Sequence, residues 1–100
     1  MPPALTDEEI VQEVRRVVVE SPGEGVFLHM IGSRARGDNR PNSDFDFVID
    51  AGHPVPFDIL LRIRALTGDL HTLHTIDITD LHHATEGFKR IAMHDSARVA

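Results

Sequence analysis

The chain has 100 residues, no cysteine and a formal net charge of −6, and 41% of its residues are hydrophobic. This length and composition predict one globular domain over residues 1–100, while the lack of cysteine excludes thiol catalysis and zinc–thiolate sites and agrees with a cytoplasmic location. The negative charge disfavours non-specific nucleic-acid binding, and because no long apolar run or basic-then-apolar start is present we expect neither a membrane span nor a signal peptide.

The first predicted element is a helix over residues 7–20. Thr6 is suited to be its N-cap, and Glu9 three residues later completes a capping box. Apolar residues then recur at helical spacing, at Ile10, Val11, Val14, Val17 and Val18. The segment Pro22-Gly23-Glu24-Gly25 is predicted to break the helix, and the apolar run from Val26 to Ile31 is predicted to form a buried strand.

A long polar loop is predicted over residues 32–43, opening with at most one helical turn. The next strand is predicted over residues 45–49, where apolar Phe45, Phe47 and Ile49 alternate with the residues of the other face. An amphipathic helix follows and stops near Gly68. Its inward positions are predicted to be Phe57, Leu60, Leu61, Ile63 and Leu66.

The third strand is predicted over residues 73–78, with Ile76 and Ile78 facing the core. The last helix is predicted over residues 85–95, with Phe88 and Ile91 also inward. This order of elements predicts an α+β fold with two layers, in which helices cover one face of a small mixed sheet of about three to four strands. The acidic residues of the strands would then lie on the other face.

Three aspartates give the strongest chemical signal. Asp44 and Asp46 are two residues apart around a strand and so should share a face, and Asp77 lies opposite the apolar residues of another strand. Carboxylates that converge repel one another, and a hard divalent cation such as Mg²⁺ relieves this repulsion. Alternating acids can also be no more than the solvated face of a sheet, and for an isolated Asp-x-Asp that interpretation is favoured.

The loop before these acids favours the metal-site interpretation. Gly32 directly follows a predicted strand, and a glycine there lets backbone N–H groups approach a phosphate, while Ser33 adds a hydroxyl donor. Arg34 and Arg36 are long enough to reach phosphate oxygens. Each of these features is common by itself, as a turn or as surface charge, so the prediction depends on their combination with Asp-x-Asp.

The combination resembles a known family. Gly32-Ser33-Arg34-Ala35-Arg36-Gly37 followed by Ser43-Asp44-Phe45-Asp46 resembles the signature of minimal nucleotidyltransferases, in the DNA polymerase beta-like nucleotidyltransferase superfamily. The resemblance covers nearly the whole chain and implies the polymerase beta-like fold. It implies that Gly32 and Ser33 hold the triphosphate of a nucleotide, with ATP expected, and that Arg36 steadies the loop or a phosphate. Arg34 falls at a variable position of the signature and receives no role.

The resemblance also implies a catalytic and biological role. Asp44 and Asp46 would bind two Mg²⁺ ions, and Asp77 would be the third acid, which ligates one metal and helps to deprotonate the acceptor hydroxyl. Proteins of this kind are often paired with an all-helical ribonuclease toxin of the HEPN type and act as its antitoxin, in some cases by transferring AMP to a tyrosine of the toxin. A domain this small has little surface to position an acceptor, which also favours a second subunit.

Other interpretations stay open from the sequence. The chain could instead be a non-catalytic binding module that neutralises its partner by occlusion, and homo-oligomerisation through exposed valine and phenylalanine near the helices is also compatible with the sequence. A sugar-nucleotide transferase using Asp-x-Asp is disfavoured, because such enzymes resemble much longer chains. His71, His74, His82 and His83 are interpreted as scattered surface residues, and His29 as a satisfied core or interface histidine.

Overall fold

The computed structural model describes residues 3–21 and 25–100. Its helices are α1 (Asp7–Glu20), α2 (Ser33–Arg36), α3 (Phe57–Gly68) and α4 (Glu86–His94). Its strands are β1 (Phe27–Ile31), β2 (Phe45–Asp50), β3 (Ile76–Asp80) and β4 (Ala97–Arg98), and a 3₁₀ turn (Leu81–His83) follows β3. Among these described residues, no helix is both long enough and apolar enough to cross a bilayer.

The four strands form one mixed sheet in the order β3-β2-β1-β4. Strand β2 runs parallel to β3 and antiparallel to β1, and β1 is antiparallel to β4. The register places Asp46 opposite Ile31 of β1 on one side and opposite Asp77 of β3 on the other. The predicted small mixed sheet is therefore confirmed, and β2, one of its two inner strands, carries the candidate acid Asp46.

The start of α1 is fixed by its own sequence. The Thr6 hydroxyl accepts a hydrogen bond from the Glu9 backbone N–H at 3.2 Å, and the Glu9 carboxylate accepts one from the Thr6 backbone N–H at 2.8 Å. These bonds satisfy donors that a helix start otherwise leaves free, so the capping box and the predicted bounds are confirmed. The predicted break lies mostly at residues 22–24, outside the described residues.

The core lies between one face of the sheet and the two long helices α1 and α3. Phe47 and Ile78 point into it from neighbouring register positions of β2 and β3, and both are almost completely buried. The remaining buried core residues are Ile10, Val14, Val17, Val18, Leu28, Phe45, Ile49, Val55, Leu60 and Ile63. Burying one large apolar side chain stabilises a fold by about 1.5–3 kcal/mol, so this face supplies most of the hydrophobic stabilisation.

Several predicted inward positions are wrong. In α3, Phe57 is 71% exposed and Leu61 and Leu66 are also exposed, because only one narrow side of this helix faces the sheet. The third strand is also shorter than predicted, because β3 begins at Ile76 and not at residue 73, and Leu73 before it is fully exposed. These segments do contain apolar residues at regular spacing, but only some of those residues contact the core.

The last helix differs most from its prediction. None of the residues of α4 is buried, and Ile91, predicted to face the core, is 80% exposed. The reason is topological: β3 and β4 are opposite edges of the sheet, so α4 belongs to the connection between them, and the core face is already occupied by α1 and α3. Strand β4 was not predicted, because two residues are too short to show alternation.

Candidate active site

Asp46 and Asp77 are neighbours on the face of the sheet that α1 and α3 do not cover (the open face). They are register partners on the parallel strands β2 and β3, while the adjacent pair Phe47 and Ile78 points into the core. Because side chains alternate along a strand, both aspartates must point away from the helices α1 and α3. Asp46 is half-buried and Asp77 is exposed. The structure therefore brings these two predicted site residues together.

Asp44 is near this pair but is not held by strand alternation. Strand β2 begins at Phe45, so Asp44 lies in the segment that leads into it, and it is exposed. The backbone N–H of Phe45 donates to the Thr75 carbonyl at 2.9 Å, which keeps this approach alongside the segment before β3. The negative charge of Asp44 acts on Asp46, so the two carboxylates share one electrostatic environment.

The three carboxylates lack compensation by positive side chains. Burial raises the pKa of the Asp46 carboxyl, and the charges of Asp77 and then Asp44 raise it further. In the part of the chain that the structure describes, none of the three forms a salt bridge. Within the same residues, no three acidic or histidine side chains are grouped closely enough to hold one ion between them. The charge suits a divalent cation whose remaining ligands come from phosphate and water.

Gly32 brings the turn after β1 directly against Asp46. Its φ is +77°, a conformation that other residues rarely adopt, and a Cβ atom built on it would lie 3.0 Å from Asp46 Oδ2. A glycine is needed here for both its backbone conformation and its lack of a side chain. The turn continues into α2, whose first residue is Ser33, so the second residue predicted to bind phosphate directly follows the glycine that lies against Asp46.

Arg36 lies on the other flank of this turn. Its side chain is exposed, and its Nε is 3.3 Å from Asp38 Oδ2 in a surface ion pair. It also lines a cavity that adjoins Gly32 and that none of the three aspartates lines. Arg36 is therefore free enough to move toward a ligand, but it is not grouped with the carboxylates.

Arg34 is a structural residue that the sequence did not reveal. Its side chain is only 5% exposed, and the guanidinium lies 3.8 Å from the centre of the Phe45 ring. Arg34 Nη2 donates to the Ser43 carbonyl at 2.8 Å, and Nη1 forms a salt bridge with Asp7 at 2.9 Å. These contacts hold the segment just before Asp44 against the start of α1, so Arg34 is not available to a phosphate.

Three histidines behave differently from their prediction. His74 is half-buried, because its ring packs perpendicular to the Phe45 ring and its Nε2 lies 3.7 Å from Asp7 Oδ1. His82 Nε2 lies 2.7 Å from Asp50 Oδ1, so His82 is half-buried and paired and not a scattered surface group. The interpretation of His29 as satisfied is wrong for one atom, because Nδ1 is buried and no described residue forms a hydrogen bond with it. Burial lowers the pKa of His29, the Asp50 charge opposes this, and the Arg98 charge adds to the lowering.

A cavity of about 530 Å³ separates the Gly32 turn from α4. The apolar side chains of α4 that were predicted to enter the core, Phe88 and Ile91, form part of its wall. Its other lining residues are Ile31, Gly32, Arg36, Arg90, Ala92, His94 and Asp95. The helical spacing of Phe88 and Ile91 correctly indicated an apolar side of α4, but the sequence gave no signal that this side faces a cavity.

Comparison with known proteins agrees with this geometry. The sequence matches the family described as "Polymerase beta, Nucleotidyltransferase" over residues 16–99. A chain from the crystal structure of a toxin–antitoxin with AMP-PNP is 15% identical and superposes with a TM-score of 0.66, over 90% of this chain and 72% of that chain. A chain from a mutant of the toxin–antitoxin MntA–HpeT is 14% identical, with a TM-score of 0.66, over 96% and 73% of the two chains.

No curated protein sequence matches the chain significantly. At 14–15% identity, the likeness to the two solved structures shows the fold alone. The family match is different, because residues 16–99 include the Gly32 turn and all three candidate aspartates. On that match, the chain belongs to the polymerase beta-like nucleotidyltransferase family.

Proposed function

We propose that this chain is an active, metal-dependent nucleotidyltransferase that transfers AMP from ATP to a hydroxyl group of a partner protein. The observation that carries the proposal is the position of Asp46 and Asp77, side by side in register on adjacent strands and directly beside the Gly32 turn. Paired carboxylates next to a glycine turn whose backbone a phosphate can approach closely suit a triphosphate that is bound together with metal ions.

The proposed metal ligands are Asp44, Asp46 and Asp77, with two Mg²⁺ ions in the loaded site. Their negative charge is not neutralised by any described side chain, which supports a cation there. Mg²⁺ commonly takes only one or two carboxylates from a protein and completes its shell with phosphate and water, so the three side chains need not enclose an ion by themselves. When bound, the ions neutralise charge on the α-phosphate and on the leaving pyrophosphate.

The residues of this chain have separate tasks in the proposed reaction. Gly32 and Ser33 hold the phosphates through backbone N–H groups and the serine hydroxyl, and Arg36 adds positive charge from the other flank of the turn. The acceptor oxygen forms a bond to the α-phosphorus as the bond between that phosphorus and the bridging oxygen breaks. Pyrophosphate leaves with the electron pair, and the hydroxyl proton passes to the Asp77 carboxylate.

The proposed acceptor is a tyrosine of a toxin of the HEPN type, which the chain would neutralise as its antitoxin. Both similar solved structures are toxin–antitoxin complexes, and one of them was crystallised with AMP-PNP, an analogue of ATP. A partner is also needed on physical grounds. A small sheet with an open acidic face can hold a nucleotide, but orienting an acceptor hydroxyl for attack requires further contacts.

The alternative function is neutralisation by occlusion without catalysis. Large apolar side chains that the fold leaves uncovered favour it, because exposed apolar surface commonly marks a protein contact. Phe57 is 71% exposed, Ile91 is 80% exposed and Leu73 is fully exposed. These residues could bind a partner whether or not the acids are active.

One experiment separates these functions. The protein is incubated with the proposed HEPN-type toxin partner, Mg²⁺ and ATP labelled at the α-phosphate, and label on the toxin is measured along with toxin activity. The proposal expects labelled, inactive toxin with the natural protein, and unlabelled, active toxin with the Asp44→Asn, Asp46→Asn double variant. Neutralisation without label by both proteins would support occlusion and overturn the catalytic proposal.

A matched control keeps this test interpretable. Asp58→Asn and Asp69→Asn change two aspartates at the ends of α3, both exposed and both on the helix-covered side of the sheet. This double variant removes the same amount of charge as the active-site variant but should label the toxin normally. Equal loss of labelling in both double variants would indicate a general charge effect and would contradict the assigned roles.

A further inference from the structure

A guanidinium group holds the main chain directly before Asp44. Arg34 donates from Nε and from Nη2 to the Ser43 carbonyl, at 3.1 Å and 2.8 Å, and Ser43 is the residue before Asp44. Asp44 precedes the start of β2, so strand pairing does not fix it. The guanidinium is itself fixed by its salt bridge with Asp7 and by the Phe45 ring. The direction in which the Asp44 side chain leaves the main chain therefore depends on Arg34.

A second guanidinium group holds the main chain directly after Asp77. Arg64 of α3 donates from the same two atoms, Nε and Nη2, to the Ile78 carbonyl, at 3.1 Å and 2.9 Å. Strand β3 is an edge of the sheet and pairs only with β2, so strand pairing holds it on one side alone. Arg64 therefore gives this edge strand a second support, at the residue next to Asp77.

Asp46, the third acid, is held by the sheet itself. It lies on the inner strand β2 and has a register partner on each side, Ile31 of β1 and Asp77 of β3. Arg34 and Arg64 thus act at the two acids that strand pairing fixes least. A guanidinium is planar and rigid, so two of its N–H groups on one carbonyl oxygen fix the direction of that carbonyl as well as its distance.

We propose that Arg34 and Arg64 are positioning residues that set the places of Asp44 and Asp77 around Asp46 for binding of a divalent cation, an inference that rests on the proposed function. A guanidinium cannot bind a cation, so each arginine acts only through the peptide group next to an acid. Mg²⁺ requires near-ideal octahedral geometry, so a small displacement of one carboxylate weakens its binding. Mutation of groups that orient metal ligands typically costs about 10–100-fold in metal affinity.

Arg16 of α1 provides a matched control for both arginines. It also donates from Nε and Nη2 to a single oxygen, Oε2 of Glu13, at 3.1 Å and 2.8 Å. Both residues lie on a helix of the covered side of the sheet, and the three acids are on or beside the open face. Arg16→Lys therefore alters the same pattern of hydrogen bonds without touching the proposed metal site.

The test measures binding of Mn²⁺, a paramagnetic ion that takes the same oxygen ligands as Mg²⁺, in the presence of α,β-methylene ATP, which cannot transfer AMP. Electron paramagnetic resonance reports the free Mn²⁺, so the readout does not depend on turnover. Arg34→Lys and Arg64→Lys should each weaken Mn²⁺ binding about tenfold, because lysine keeps the positive charge but lacks the rigid pair of donors. Arg16→Lys should leave Mn²⁺ binding unchanged.

Thermal unfolding with a metal chelator is measured in parallel, because a purely structural role lowers the thermal midpoint but leaves Mn²⁺ binding by the folded protein unchanged. If Arg34→Lys does not fold, Asp7→Asn takes its place, since the Asp7 side chain is 57% exposed and its carboxylate fixes the Arg34 guanidinium. Glu8→Gln removes the same charge from the same helical turn. Asp7→Asn must weaken Mn²⁺ binding more than Glu8→Gln does, or the role of Arg34 is overturned.

The outcomes separate this inference from the wider proposal. If the natural protein binds no Mn²⁺ with the nucleotide analogue, the assigned metal ligands and the proposed function fail together. If it binds Mn²⁺ and the variants of Arg34 and Arg64 bind equally well, or Arg16→Lys loses as much affinity as they do, the positioning roles are overturned while the transferase proposal stands. Weakened binding in only one of the two variants overturns the role of the other arginine. Weakened binding in both, with Arg16→Lys unchanged, upholds the positioning roles even if no acceptor is labelled.

Discussion

The two faces of the same sheet are built in opposite ways. On the face beneath α1 and α3, Phe47 and Ile78 are register partners and are buried among other apolar side chains. On the open face, Asp46 and Asp77 are register partners whose charges repel and are not paired with any described cation. Because side chains alternate along the strands, neighbouring residues have opposite effects on the fold. The apolar side chain stabilises it, and the carboxylate beside it in sequence destabilises it by charge repulsion.

This comparison shows that adjacent residues of one strand can have different roles, one in the stability of the fold and the next in the proposed chemistry. Phe47 and Asp46 share a backbone and a strand, yet their side chains are in different environments. A substitution at one should affect mainly the free energy of unfolding, and at the other mainly ligand binding and turnover. The four predictions that follow test this separation.

The largest effect is expected from Phe47→Ala on the packed face. Removing a fully buried phenylalanine side chain should lower the free energy of unfolding by about 3–5 kcal/mol, because it removes apolar contacts and leaves a cavity. Urea denaturation measures this change. Phe57→Ala is the matched control at an exposed phenylalanine and should cost much less, and similar losses in both variants would contradict the assignment of the core.

Asp46→Asn is expected to lower transferase activity about a hundredfold or more, since it weakens binding of the proposed ions. The same substitution should increase the stability of the folded protein, although it lowers activity. The raised pKa of Asp46 means that its charged form is disfavoured in the folded state, so the cost is absent at pH values below its unfolded pKa and present in full above its folded pKa. At neutral pH without metal, Asp46→Asn should therefore raise the thermal midpoint.

Asp58→Asn, at the start of α3, is the control for the predicted rise in the thermal midpoint. A carboxylate near a helix N-terminus is favourable, so this variant should lower the midpoint slightly while activity is retained. Differential scanning calorimetry in the presence of a metal chelator measures both variants. A lower midpoint for Asp46→Asn would show that its carboxylate stabilises the fold and is not a strained group of the open face.

Gly32→Ala is expected to destabilise by about 1–3 kcal/mol and to weaken Mg²⁺-dependent nucleotide binding. The loss of stability comes from the positive φ, and the loss of binding comes from the new Cβ, which would lie 3.0 Å from Asp46 Oδ2 and displace it. Gly52→Ala is the control, because Gly52 has a φ of +78° and no atom within 4 Å of its Cβ position. Equal nucleotide binding in the two variants would rule out the contact with Asp46 as a cause.

The smallest effect on the free energy of unfolding, below about 1 kcal/mol, is expected from removal of the Asp50–His82 pair, because this pair is partly exposed. Burial by itself raises the pKa of Asp50, but the hydrogen bonds from His82 and Gly52 and the charges of His82 and His29 outweigh it and lower this pKa. The stabilisation is therefore present above the unfolded pKa of Asp50, and it is lost as pH falls through the lower, folded value.

Comparison of the natural protein with Asp50→Asn isolates this contribution. Urea denaturation at a series of pH values from about 7 down to about 3 should show a difference in unfolding free energy that shrinks as the pH falls. His82→Gln should remove most of the difference at neutral pH. A difference between the natural protein and Asp50→Asn that grows on acidification would contradict the lowered pKa.

Local patterns in the sequence were enough to predict much of the fold. The capping box at Thr6 and Glu9 fixed the start of α1, and alternation around Phe47 correctly assigned Asp46 to the face opposite the core. The position of Asp77 on that same face also followed from alternation, once Ile78 was assigned to the core. These features depend on neighbouring residues, so no knowledge of the tertiary structure was needed.

The features that were missed depend on contacts between distant segments. The apolar spacing of Phe88 and Ile91 identifies an apolar side of α4 but does not say whether a core, a cavity or a partner lies against it. Arg34 binds Asp7, which is 27 residues away, and no local pattern indicates such a pair. Whether Asp44, Asp46 and Asp77 act together as metal ligands stays a prediction, which the Asp46→Asn experiment tests.

The contacts of Arg34 show that the nucleotidyltransferase signature cannot be grafted into another protein as an isolated segment. Its guanidinium contacts the Ser43 carbonyl, the Phe45 ring and Asp7 of α1. The segment before Asp44 is therefore held in place by a helix that lies outside residues 32–46. A designer who transplants residues 32–46 alone into a new scaffold would leave this guanidinium without its carboxylate. The working unit for such a graft is the signature together with the first turn of α1.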